Sequence, residues 1–110
     1  MPDVILFYTT WPDAQAARAA GEAALDARLA ACVNILAPIR SIYRWNGRVE
    51  HGEEVPMLVK TTAQAAPALR ELLLRLHPYE LPSLLALPVS EPLSHAAFLD
   101  WVRAEASGGQ

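Results

Sequence analysis

Residues 41–50 read SIYRWNGRVE, and the Asn46-Gly47 pair at the centre of this stretch predicts a β-hairpin. A type I′ turn needs a positive φ at both of its central residues, and asparagine followed by glycine meets that need with little strain. The residues before the turn are rich in β-branched and aromatic side chains, which favour strands. We therefore expect a strand over residues 39–45 that returns as a strand over residues 48–61.

The segment before the hairpin predicts a strand, a helix and a second strand. Residues 4–8 are a short run of strand-forming side chains, and Thr10, with an acid three residues later, is typical of a helix N-cap. The helix then presents an apolar face that ends at Cys32. Gly21 lies on this face, where the lack of a Cβ allows the helix backbone to approach a sheet closely. The second strand follows, and Pro38 interrupts it before the hairpin.

The segment after the hairpin predicts a helix, a strand and a last helix. Thr61 or Thr62 can cap the first of these helices, whose leucines recur at helical spacing until Pro78 ends it. Residues 83–89 are a continuous apolar run of strand length, as in a buried central strand. Ser94 then introduces the last helix.

The resulting order is β-α-β-β-α-β with an additional C-terminal helix. Under the rules for chain connections, this order predicts an α+β fold: a ferredoxin-like α/β sandwich with an antiparallel sheet and helices on one face. We expect residues 1–106 to form this single domain and residues 107–110 to form a flexible tail.

Composition restricts the partners that the chain can have. A chain of 110 residues has little interior for 53% hydrophobic residues, so some apolar side chains are expected between subunits of an oligomer. The net charge is −3 and Lys60 is the only lysine, which argues against nucleic acid. No stretch approaches the roughly 20 apolar residues of a membrane span. The single Cys32 fits a reducing compartment, so we predict a cytoplasmic protein without a membrane partner.

Several short stretches, taken together, resemble one family. They are TTWPD, LAACVNI, SIYRWNGRVE, LVKTT, HPYELP and FLDW, and they occur in that order between residues 9 and 101. The chain is similar to the CutA divalent-cation-tolerance proteins. The resemblance implies a ferredoxin-like protomer in a tight homotrimer, in which long bent hairpins complete the sheets of neighbouring subunits. It also implies a link to copper and other divalent cations, and a trimer like that of the PII signalling proteins.

His77, in HPYELP, is the best candidate for a metal ligand, because neutral imidazole binds borderline divalent ions. Some members of the family discussed as copper binders have a cysteine where this chain has Thr9, and a second histidine where it has Leu76. Their absence leaves His77 alone, so the resemblance implies weak copper binding here. The other interpretation is a histidine that caps the helix or packs between subunits.

Lys60 is followed by two hydroxyls and a helix start, a pattern that can bind an anion through backbone N–H groups. A salt bridge to a carboxylate explains the same lysine equally well. Tyr43, Trp45 and Tyr79 can line the same cleft between subunits, and aromatic packing at an interface is the alternative. These four residues define a second hypothesis, a PII-like trimer that binds a small anionic ligand.

The remaining candidates have a simpler interpretation available. Cys32 can act as a thiolate ligand or nucleophile, or be buried and inert. His51 and the acids around it, Glu50, Glu53 and Glu54, can hold a cation loosely or form a solvated hairpin surface. No partner for His95 is evident. No motif for a phosphate loop, a zinc protease or a nucleophile elbow occurs, so we predict no enzyme, no catalytic residue and no required cofactor.

Overall fold

The hairpin at Asn46 and Gly47 is present and organises the sheet. Both residues have positive φ, 51° and 76°, as a type I′ turn requires.

The structure is a computed structural model that describes residues 2–108. Its elements are β1 (Val4–Trp11), α1 (Ala14–Asp26), β2 (Cys32–Ile35), β3 (Ile39–Trp45), β4 (Arg48–Thr62), α2 (Ala66–Leu76), β5 (Leu84–Pro88), a 3-10 turn (Glu91–Leu93) and α3 (Ala96–Glu105).

The sheet has the order β2-β4-β1-β5 and every pairing in it is antiparallel, which confirms the ferredoxin-like prediction. β4 is the longest strand, with 15 residues. Its second half pairs with β1 and β2, whereas its first half pairs only with β3. Residues 39–54 therefore form a two-stranded extension of the sheet, which we call the ribbon. The break predicted at Pro38 separates β2 from β3.

The two faces of the sheet are covered to different extents. α1 and α2 pack on one face, which we call the helix face, and form the main core with Phe7, Met57 and Val59. α3 departs from the prediction of helices on one face, because it packs on the opposite face, near Val4, through Leu99 and Val102. The rest of that face, which we call the open face, has no covering element among residues 2–108. Its members follow from the register and are Leu6, Tyr8, Leu58, Lys60, Leu85 and Leu87.

The close approach predicted at Gly21 is confirmed. A Cβ at this position would lie 3.0 Å from a methyl group of Val33 and 3.3 Å from the sulfur of Met57. Both neighbours belong to the sheet, so only a residue without a side chain lets α1 lie this near.

The predicted helix start at Thr10 is wrong. β1 continues to Trp11, because its last residues pair with β4 up to Val55. The N-cap of α1 is Asp13, whose carboxylate accepts the backbone N–H of Ala16 at 2.8 Å.

The predicted extension of this helix to Cys32 is also wrong. Arg28 takes a left-handed conformation with φ of 57°, and its N–H donates to the carbonyl of Leu25. The N–H of Leu29 donates to the carbonyl of Ala24, which completes a Schellman cap. The chain then turns, and Cys32 begins β2 opposite Lys60.

Three further local predictions need correction. The run over residues 83–89 contains β5, but β5 is an edge strand of this chain rather than a central one. Ser94 precedes α3 without capping it, because its hydroxyl donates to the carbonyl of Ser90. Neither Thr61 nor Thr62 caps α2: its N-cap is Ala65, which makes no side-chain cap bond, and the Thr62 hydroxyl accepts the N–H of Ala65 in the turn before the helix.

The predicted tail, residues 107–110, lies partly outside the described residues. Gly109 and Gln110 are not among them. Gly108 is, and its N–H donates to the carbonyl of Arg28 at 2.7 Å. A Cβ at Gly108 would lie 2.3 Å from the carbonyl oxygen of Ala27, so the chain passes close to the end of α1 here.

Candidate functional site

His77 lies where α2 meets the loop that leads to β5. The following proline disfavours a helical conformation, and His77 is extended, with φ of −77° and ψ of 132°. Its side chain is buried, and the ring stacks on that of Trp11 with 4.2 Å between centroids. The Tyr79 ring is 4.7 Å away. The imidazole is therefore part of an aromatic cluster.

Both ring nitrogens of His77 already have hydrogen-bond partners. Nε2 lies 2.7 Å from the carbonyl oxygen of Thr10, and because a carbonyl only accepts, Nε2 carries the proton. Nδ1 then has the lone pair, and it accepts the backbone N–H of Tyr79 at 3.1 Å. These bonds fix the neutral tautomer and connect α2 to the end of β1.

The surroundings of His77 do not fit a resident metal ion. Its one lone pair is occupied by the Tyr79 N–H, and a metal ligand must offer a free one. The hydroxyl of Thr9 is buried and used: it donates to Met57 and accepts from Trp11. Nowhere in residues 2–108 do three His, Cys, Asp or Glu side chains come together as a metal site. These contacts support the packing interpretation of His77.

A groove with a volume of about 760 Å³ lies beside this cluster, between the ribbon and the loop after α2. β1 contributes Tyr8, the ribbon contributes Tyr43 and Trp45, and the loop contributes Tyr79. Tyr43 and Trp45 are two residues apart on one strand, so both project from the same side of the ribbon. We call this feature the aromatic groove. It brings together three of the four predicted cleft residues.

The charges that line the aromatic groove are mostly negative. Glu53, Glu54 and Glu80 contribute carboxylates, and Arg44 contributes the one cation among the lining residues. Burial raises the pKa of Tyr79 above its usual value, and the negative charge of Glu54 raises it further. The groove therefore favours cations over anions.

Lys60, the fourth predicted cleft residue, lies outside the aromatic groove. It is six residues beyond Glu54 on β4, which is about 20 Å along an extended strand. Its ammonium is 3.9 Å from the sulfur of Cys32 and 5.5 Å from the centre of the Phe98 ring. The hydroxyl of Thr61 is buried and donates to the carbonyl of Leu29. Within one subunit, Lys60 is thus separated from Tyr43, Trp45 and Tyr79.

The other predicted site residues lie apart. Cys32 is a half-buried free thiol on an edge strand, and Lys60 is its one side-chain hydrogen-bond partner among the described residues. His51 pairs with Ile42, on the opposite side of the ribbon from Glu50 and Glu54. His95 is exposed at the start of α3 and makes no side-chain cap there.

Sequence reasoning missed the carboxylate partners of the aromatic residues. The signal was available, because the Asn46-Gly47 turn sets the hairpin register and so places residues 41, 43, 50 and 54 on one side of the ribbon. The contribution of Glu80 had no such signal, because it depends on how the loop after α2 folds back over the ribbon.

The comparisons with known proteins agree with the resemblance in the sequence. The family model for the CutA1 divalent ion tolerance protein matches residues 5–105. The Divalent-cation tolerance protein CutA of Thermus thermophilus is 45% identical over 94% of this chain and 96% of that protein. Human Protein CutA is 40% identical over 87% of this chain, which spans only 52% of the human protein.

Solved structures give the same result. The crystal structure of CutA1 from a psychrotrophic Shewanella has a TM-score of 0.90 at 35% identity, covering 96% of this chain and 97% of that one. A structure from Archaeoglobus fulgidus, titled as the periplasmic divalent cation tolerance protein CutA, has a TM-score of 0.89 at 32% identity and covers 94% and 99%. Among the described residues, every helix is too short or too polar to cross a membrane. By sequence and by fold, this chain belongs to the CutA1 divalent ion tolerance protein family.

Proposed function

We propose that the chain is a homotrimeric protein of the cellular response to divalent metal ions, and that it binds copper weakly. The observation that carries the proposal is the family match over residues 5–105 together with relatives named for divalent-cation tolerance. The proposal includes no catalytic activity and no required cofactor.

The open face supports the trimeric part of the proposal. Leu85 and Leu87 are 59% and 42% exposed, and Phe98 and Trp101 of α3 are also exposed. An apolar surface of this kind, next to the free edge of β5, is typical of a surface that another subunit covers. The described part of the chain offers no further element to cover it.

Copper binding at His77 stays part of the proposal as a weak interaction. A copper ion at Nδ1 would have to displace the N–H of Tyr79, and no second ligand lies in place. Both facts favour low affinity. A calorimetric titration with Cu²⁺ tests this, comparing the wild type with His77→Gln.

We expect a weak isotherm for the wild type and a smaller or absent one for His77→Gln. Tight stoichiometric binding that survives His77→Gln would reject His77 as the ligand. A strain that lacks its own CutA protein should tolerate less copper than the same strain supplied with this chain. Equal tolerance would contradict the proposed function.

The alternative, a PII-like trimer that binds a small anion near Lys60, has less support. The hydroxyls of Thr61 and Thr62 that were expected to help already bind the protein backbone. Within one subunit the aromatic residues of the predicted cleft lie in an acidic groove instead. A thermal-shift screen of nucleotides and organic acids, with Lys60→Ala as control, would revive this alternative if any anion stabilised only the wild type.

A cytoplasmic location is likewise a proposal. It rests on Cys32, which is a free thiol in the structure.

A further inference from the structure

We draw no further inference here: the strongest candidate, the apolar groove on the helix face between α2 and β5 with the exposed Arg70 at its rim, carries nothing because β5 is an edge strand beside the surface assigned to another subunit, and nothing among the described residues shows what covers the groove.

Discussion

On the helix face of the sheet, Met57 and Val59 are both 0% exposed, whereas on the open face Leu85 and Leu87 are 59% and 42% exposed. The two sets belong to the same sheet and both are apolar. The difference lies in the chain that surrounds them: two helices cover the first face, and one helix covers an end of the second. A strand with apolar residues on both sides predicts cover on both sides. This chain provides half of that cover, which is why we infer that other copies provide the rest.

The first prediction concerns the covered face and has the largest expected effect. Leu73→Ala, at a residue that is 1% exposed, should lower the free energy of unfolding by about 2–5 kcal/mol, because it leaves a cavity in the core. Urea unfolding at a fixed subunit concentration measures it. The control is Leu74→Ala on the same helix, at 41% exposure, which should cost less than about 1 kcal/mol. Equal losses would show that the helix face is not the core.

The second prediction concerns the open face. Leu87→Asp should weaken subunit association by about 100-fold or more, because an unpaired carboxylate would be buried between subunits. Sedimentation velocity over a dilution series reports the loss of assembly.

Leu25→Asp, at an exposed leucine of α1 away from the open face, is the matched control and should remain assembled. If both variants stay assembled, then the open face is not the interface.

The third prediction concerns the aromatic cluster that joins β1 to the loop after α2. His77→Gln should lower the free energy of unfolding by about 1–2 kcal/mol. Glutamine can still donate to the Thr10 carbonyl, but it loses the ring that stacks on Trp11. His77→Ala should cost more, because the carbonyl of Thr10 and the N–H of Tyr79 both lose a partner. Unfolding curves that match the wild type for both variants would contradict a structural role for His77.

The fourth prediction, with the smallest effect, concerns the covered end of the open face. The N–H of Val4 donates to the Glu91 carboxylate, and this bond, with the Arg103 ion pair, lowers the pKa of Glu91. A lowered pKa adds stability above the unfolded value of about 4.3, and that stability is lost as pH falls through the folded value. The urea concentration at the unfolding midpoint of the wild type should therefore decrease as the pH is lowered below about 4.

Glu91→Gln removes this titration, so its midpoint should be lower near neutral pH and should change less on acidification. If the urea midpoint of Glu91→Gln fell on acidification as much as that of the wild type, titration of Glu91 would not be the cause of the loss of stability.

The sequence predicts the covered parts of the fold well, and it fails where the chain ends an element without a standard signal. Asn46-Gly47 and Gly21 were correctly interpreted because a positive φ or a close contact leaves few residue choices. The end of α1 was not, because Arg28 occupies a left-handed position where glycine is the usual signal. The aromatic members of the groove can be named from the sequence, whereas within one subunit Lys60 lies apart from them, further along β4. Its distance follows from strand register, which residue type alone does not reveal.

Sedimentation equilibrium of the wild type shows whether copies of this chain cover the open face. We expect a mass of three times 12.0 kDa across a wide range of concentrations, with the Leu87→Asp variant shifted towards smaller species. A folded, stable wild-type monomer of 12.0 kDa would contradict it.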